Sequence, residues 1–319
     1  MPSSPSDKDV QLTQVPEGIM PAVPPEQAVS VPEGATFVPG RIGIVCLGLM
    51  GGSFARAEHL GGHEVYAWNR TKSTLDFAMI DTVDGELTDE TIPTCELLIL
   101  SGYPAMTVEW LQEKADLISP GAIVIDTVGV KRAICEQCFP IAEGRPWHFV
   151  GCHPMAGTQY SGYAHSRANM FHNAPMVVVP PDTLQGLERL DVLDRLERLL
   201  SPCGFGTFTV TTAANHDAVI AFTSQLAHVV SNAYVKSPAA QSHKGFSAGS
   251  YKDLTRVARL NATMWTELFL DDADFLSQEI GTLIDNLQQY KDAIDQRDAE
   301  RLHDLLAEGD RRKREVEGK

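Results

Sequence analysis

The sequence predicts an α/β protein: a doubly wound parallel sheet over residues 39–212, followed by an all-α domain over residues 213–319. Three observations carry that expectation. Short apolar runs alternate with helical segments from Arg41 to about Val210, the pattern of strands joined by right-handed crossovers. A glycine-bearing turn, Cys46-x-Gly48-x-x-Gly51, follows the first of those runs. After Thr212 the strand-like runs stop and only helical stretches follow.

Residues 1–38 are rich in Pro, Ser, Glu and Gln and hold one aromatic residue, Phe37. Such a composition buries too little apolar surface to offset ordering, and it predicts a mostly disordered or loosely draped tail. Strands are expected at 42–45, 64–68, 97–100, 123–126, 148–152, 176–179 and 205–210. Several are continuous apolar runs, as in strands covered on both faces. The clearest intervening helix, 184–200, aligns Leu184, Leu187, Leu190, Leu193, Leu196 and Leu200 as its apolar stripe. Helices are then expected at 214–236, 251–270, 273–296 and 298–316. Residues 218–234 are apolar nearly all round, which predicts burial in a subunit interface and a homodimer formed through the helical domain.

Composition narrows the function. A formal net charge of -16 excludes an extended nucleic-acid surface, which needs clustered positive charge. The one basic cluster, Arg311 to Arg314, reads as a solvated helix end. No apolar run approaches the roughly 18 residues needed to cross a bilayer, no leader pattern opens the chain, and a cytoplasmic protein is expected. Six cysteines in 319 residues do not make a disulfide framework. Cys135-x-x-Cys138 has no companion pair or histidine set, so it reads as two thiols on a helix, and no metal is expected.

The glycine turn gains weight from its setting: a strand before it, a helix after it, and a second strand ending about twenty residues on. This is the arrangement of a Rossmann-like dinucleotide site. Gly48 lets the backbone approach a pyrophosphate, and Gly51 lets the helix pack closely on the strand. Leu49 and Met50 sit at the helix start, where free N–H groups receive phosphate. Cys46 stands where the tight turn usually has glycine, and it is expected to keep φ negative. At the end of the second strand, Asn69, Arg70 and Thr71 replace the acid that would bind a ribose 2′-hydroxyl. Arginine pairs with a 2′-phosphate, so the expected cofactor is NADP rather than NAD. Ser101, closing the run 97–100, joins the cofactor-binding set.

Three further stretches specify the chemistry: "VGCHPMAGTQYSG" at 150–162, "SQLAHVVSNAY" at 224–234 and "SAGSYKDLTRVARLNATMW" at 247–265. Together with the glycine turn they resemble the prephenate/arogenate dehydrogenase family of tyrosine biosynthesis, in order and at matching spacing from about residue 41 to 300. The resemblance implies an oxidative decarboxylation: hydride leaves C4 of a cyclohexadienyl acid, the 4-hydroxyl loses its proton, and CO2 departs as the ring becomes aromatic. It further implies that His153, in the HPMAG element, is the catalytic residue, accepting a hydrogen bond from the 4-hydroxyl. His228 contacts the small-molecule substrate by the same resemblance. Arg256 binds a substrate carboxylate through its planar fork, and Trp265 supports the pocket wall. An arogenate enzyme needs an anion or carbonyls near the substrate ammonium; Asp217, Asp253 and Gln225 are candidates, and Gln225 is counted with the substrate-binding residues.

The chain departs from the family pattern at Cys46 and at two substrate-side positions. Gly129 stands where a serine commonly assists the catalytic histidine, leaving His153 to be oriented by water, Thr127 or Ser101. Gln159 replaces the usual acid two residues beyond HPMAG. Two other readings compete. "GLMG" and "WNRT" also resemble β-hydroxyacid dehydrogenases, whose catalytic lysine could only be Lys236 here. The three departures also suit a catalytically weak NADP-binding regulator.

Overall fold

The computed structural model describes residues 32–158, 160–243, 245–246 and 248–318. The expected tail lies mostly outside these residues, but its last part does not behave as a tail. Thr36 donates its N–H to Ser119 Oγ (2.8 Å), and Phe37 is buried beneath the Arg195 guanidinium. A single aromatic is enough to fasten the segment, because its ring joins the second hydrophobic core.

Eight strands form one sheet in the order β3-β2-β1-β4-β5-β6-β7-β8. They are β1 (Val38–Val45), β2 (Glu64–Trp68), β3 (Gly85–Glu86), β4 (Cys95–Leu100), β5 (Ile123–Asp126), β6 (His148–Pro154), β7 (Pro175–Val179) and β8 (Thr207–Val210). All neighbours pair in parallel except β6 with β7. The two-residue strand β3 carries no apolar run and was not anticipated. Alternation divides the strands between two cores. Ile42, Ile44, Leu97, Ile99, Ile123, Ile125, Val150 and Cys152 face one side of the sheet; Leu98, Leu100, Val124 and Phe149 face the other.

The first face is covered by α1 (Leu49–Leu60), α2 (Lys72–Ala78) and α5 (Gly186–Leu199), the second by α3 (Pro104–Lys114) and α4 (Arg132–Ala142). Cys135 and Cys138 lie on the buried face of α4, and burial pushes the Cys135 thiol up to about 12. The leucine stripe expected on α5 does not hold: Leu187 is 84% and Leu190 64% exposed. Steps of three residues lag about 60° behind a 3.6-residue turn, so the row winds off the buried face. That face instead carries Val192, Leu196, Leu199 and Arg195, whose guanidinium is buried against Glu96 (2.9 Å).

The helical part begins with α6 (Ala213–Ile220), a π-helical segment (Ala221–Leu226) and α7 (Ala227–Tyr234) in place of one continuous helix. Its apolar surround is only half covered within one chain: Ile220, Ala221 and Leu226 are buried, whereas Val219, Phe222 and Tyr234 are exposed. The expected helix 251–270 is also two, α8 (Gly249–Thr255) and α9 (Ala262–Asp271). The break falls before Asn261, whose side chain accepts from Met264 N–H and caps α9. Long helices α10 (Ala273–Asp295) and α11 (Ala299–Glu317) follow. No helix among the described residues is long and apolar enough to cross a membrane.

Candidate active site

At the carboxyl edge of the sheet, β1 turns into α1 through Cys46. Its φ is +73°, not the negative value expected. A side chain in the left-handed region costs about 1–2 kcal/mol and persists only where surrounding bonds dictate the backbone. Here they do: Cys46 N–H donates to the Trp68 carbonyl (2.8 Å) and Leu47 N–H to Asn69 Oδ1 (2.9 Å). These bonds turn the Cys46 carbonyl onto Gly51, where an added Cβ would stand 1.9 Å from its oxygen. At Gly48, the residue preceding α1, an added Cβ would meet nothing within 4 Å. One glycine is thus required by the protein's own packing, while the other keeps a space open at a helix N-terminus.

Several features of that space suit a dinucleotide. The first turn of α1 holds no acidic residue, so its free N–H groups face no built-in anion. Leu49 and Met50 are half-buried at the helix start. Arg70 is exposed, and its charge reaches the turn, opposing the rise in Cys46 thiol pKa that burial causes. Thr71 precedes α2 without using its hydroxyl as a cap. Ser101, whose Cβ approaches Gly51, has a buried Oγ with no hydrogen-bond partner among the described residues. Asn69 differs from expectation: its Oδ1 takes Leu47 N–H and its Nδ2 donates to the Thr71 carbonyl (3.0 Å), so its amide braces the turn.

The second half of the site is built where β5 and β6 end. Lys131 and Asp126 are fully buried and ion-paired. Asp126 accepts from the backbone of Val128 (2.8 Å) and Cys152 (3.0 Å), while Lys131 Nζ donates to the Cys152 carbonyl (2.7 Å). Such a pair is retained where its hydrogen bonds replace lost water, and here it fastens the two strand ends together. His153 follows on β6. A Cβ added at Gly129 would lie 3.9 Å from His153 Nε2 and about as far from Leu268. The gap left by the missing side chain therefore opens onto that ring nitrogen.

The other ring nitrogen, Nδ1, is hydrogen-bonded to His216 Nε2 (2.9 Å), and His216 Nδ1 to Asp217 Oδ1 (2.7 Å). Among the protein's own side chains it is His216, and not Thr127 or Ser101, that is hydrogen-bonded to His153. Asp217 also accepts from the backbone of Lys131 (2.7 Å) and Arg132 (2.8 Å). Desolvation holds the His153 pKa well below its ordinary value, with His216 and Lys131 adding to the effect. Burial likewise lowers His216. Hydrogen bonds from His216 and the two backbone amides outweigh burial at Asp217 and keep it ionised.

Helix α9 closes the site. Leu268 packs against the second core and faces Gly129, and Trp265, three residues earlier on the same helix face, stacks on His228 (ring centroids 4.2 Å apart). His228 Nδ1 donates to the Ser224 carbonyl within the π segment (2.8 Å), which leaves Nε2 as its unused nitrogen. Burial lowers its pKa, and the nearby Arg256 charge lowers it further. Arg256, exposed just beyond α8, is thus within electrostatic reach of His228. Gln225 is buried in the π segment, and its Oε1 has no hydrogen-bond partner among the described residues. Gln159 lies outside the described residues. Lys236, the lysine a β-hydroxyacid dehydrogenase would need, is exposed beyond α7.

Sequence reasoning missed His216, Asp126 and Lys131, and it weighed Asp217 only for an ammonium. A signal was present: His216-Asp217 is a polar pair just inside the start of an otherwise apolar helix.

Comparison with known proteins identifies the family. Residues 54–204 match the family model "Prephenate dehydrogenase, nucleotide-binding domain" and residues 212–308 match "Prephenate dehydrogenase, dimerization domain". A prephenate dehydrogenase of Lactococcus lactis is 26% identical over 285 residues, covering 84% of this chain and 75% of that protein. A cyclohexadienyl dehydrogenase of Zymomonas mobilis is 25% identical, covering 82% and 91%. The crystal structure of Synechocystis arogenate dehydrogenase superposes with a TM-score of 0.71 at 28% identity, covering 86% of this chain and 99% of that one.

Proposed function

The chain belongs to the prephenate dehydrogenase family, and from that premise we propose that it oxidatively decarboxylates prephenate, or its amino counterpart arogenate, with NADP as hydride acceptor. The observation that carries the proposal is His153: a neutral imidazole at the sheet's carboxyl edge, with Nε2 facing the gap at Gly129 and Nδ1 already engaged.

The residues around the glycine turn fit a dinucleotide: open space at Gly48, a helix N-terminus without acids, Arg70 beside the turn and an orphan hydroxyl at Ser101. Gly48, Leu49, Met50 and Gly51 would hold its pyrophosphate. Arg70 and Thr71 would receive a 2′-phosphate, which favours NADP over NAD. When bound, the nicotinamide supplies the hydride acceptor. His153 Nε2 takes the 4-hydroxyl proton as C4 is oxidised, and returns it to the ring oxygen once CO2 has left and the ring is aromatic. His153 is half-buried between the sheet and α9, and desolvation keeps its imidazole neutral, as a base requires. Arg256 holds a substrate carboxylate, and the His228–Trp265 stack forms the wall that orients the ring.

Prephenate is the default substrate. Among the described residues no carboxylate is hydrogen-bonded to His153 itself, and Asp217 already accepts from Lys131 N–H, Arg132 N–H, the Arg132 guanidinium and His216. Exposed Phe222, Ile284, Leu287, Ile294 and Leu306 leave the helical part with apolar surface that a second copy would cover, consistent with a homodimer. Six free thiols among the described residues suit a cytoplasmic protein.

The test is an assay of NADP and NAD with prephenate and then arogenate, following absorbance at 340 nm. His153→Asn should lower kcat on the order of 10²-fold or more while KM changes little. Absence of reduction with either acid overturns the proposal.

A further inference from the structure

The bond between His153 and His216 does more than fill a cavity. An ionised carboxylate only accepts hydrogen bonds, so His216 Nδ1 carries a proton and donates its hydrogen bond to Asp217 Oδ1. A neutral His216 then presents Nε2 as an acceptor, and the hydrogen between the rings belongs to His153 Nδ1. His153 is left with a bare lone pair on Nε2, the nitrogen that faces Gly129.

We propose that His216 and Asp217 are the positioning pair of this enzyme: they hold the His153 ring in place and fix it as the Nδ1–H tautomer, so that Nε2 is the base. The proposal rests on the functional reading of His153 given above. Neither residue touches the reacting atoms. They act through His153, replacing the orienting hydroxyl that Gly129 cannot provide.

The surroundings enforce the arrangement from every side. Asp217 is pinned by Lys131 N–H, Arg132 N–H and the Arg132 guanidinium, which is itself paired with Asp272 and Asp274. His216 is buried on α6, one residue from Asp217. The buried Lys131–Asp126 pair grips Cys152, the residue before His153. When His153 accepts the substrate proton, its Nδ1–H remains directed at His216, and the Asp217 carboxylate lies one ring further on to stabilise the new charge.

Two amide substitutions separate positioning from simple structure. In His216→Asn the amide reaches Asp217, as Nδ1 does, but falls short of His153. In His216→Gln it reaches His153, as Nε2 does, but falls short of Asp217. A positioning role predicts that His216→Gln keeps kcat within roughly fivefold while His216→Asn loses on the order of 10²-fold, with KM within about threefold in both. A purely structural role predicts the reverse order, and that result overturns the proposal. A readout without substrate accompanies the kinetics: ¹⁵N NMR of histidine-labelled protein near pH 8. Neutral His153 should be the Nδ1–H tautomer in the unsubstituted protein and in His216→Gln, and the Nε2–H tautomer in His216→Asn. An Nε2–H tautomer in the unsubstituted protein overturns the proposal. If the protein oxidises neither acid, the functional reading fails, whereas the NMR result still decides the tautomer.

Discussion

Gly51 and Gly48 belong to one turn, yet the structure assigns them different jobs, and alanine at each should separate those jobs. In Gly51→Ala the new Cβ starts 1.9 Å from the Cys46 carbonyl oxygen and 3.1 Å from Ser101 Cβ. A carbon–oxygen contact relaxes to about 3.3 Å, so α1 must move off β1 by more than 1 Å. Neither partner yields easily: the Cys46 carbonyl is backbone, held by the bonds to Trp68 and Asn69 that force its positive φ. Overpacking of this kind costs about 1–3 kcal/mol, a fall in Tm of roughly 2–4 °C for each kcal/mol. The displaced helix N-terminus also carries its phosphate-binding N–H groups out of line. We expect NADP affinity to fall by about 10- to 100-fold, or about 1.4–2.8 kcal/mol. In Gly48→Ala the added methyl meets nothing within 4 Å of protein. Stability should therefore hold, while affinity falls comparably because the methyl occupies the phosphate space. Differential scanning fluorimetry and isothermal titration with NADP measure both quantities. A Gly51→Ala protein with unchanged Tm and Kd would refute the reasoning, as would a Gly48→Ala protein that loses stability.

Arg256→Ala should raise KM for the cyclohexadienyl acid by about 10- to 100-fold with a smaller effect on kcat, because a charge-assisted pair is present in both ground and transition states; steady-state kinetics check this. Arg70→Ala should reduce the preference for NADP over NAD roughly tenfold by raising KM for NADP alone, and equal losses with both cofactors would contradict the role given to Arg70. Because desolvation holds the His153 pKa below the usual 6.5 or so, its base form already predominates there. The acid limb of kcat/KM should fall below pH 6.5, with activity flat from there to about pH 8. Stability should follow the same sign: His148, His153, His216 and His228 all have lowered pKa values. The unfolded chain therefore takes up protons first as pH falls through about 6.5, and stability present above that pH is lost below it. Asp272, which burial pushes up to about 6, works in the opposite direction between its unfolded value and that pH, and so blunts the loss. Urea titrations at pH 8, 6.5 and 5.5 measure the net effect.

The sequence by itself determined the layers of this protein. Buried parallel strands write themselves as apolar runs, so β5 could be bounded to the residue. A helix N-terminus after a glycine turn is equally local, and so is the switch to helices after Thr212. Errors came where a neighbour far along the chain decided the outcome. The leucine row of α5 winds off the buried face, and the Arg195 that stands there instead finds its partner in Glu96, far back along the chain. Cys46 was expected to keep negative φ because a side chain prefers it; Trp68, Asn69 and the approach of Gly51 overrode that preference. The His153 cluster shows the same division. His153 could be singled out from its place after an apolar strand, within a familial motif. Its partner could not, because His216 lies 63 residues away and Asp217 is fixed by backbone amides 86 and 85 residues before it. Pattern and propensity act over a few residues, whereas the tautomer and orientation of a buried imidazole depend on which donors and acceptors the folded chain sets within 3 Å of each ring nitrogen. Only the tertiary structure decides that.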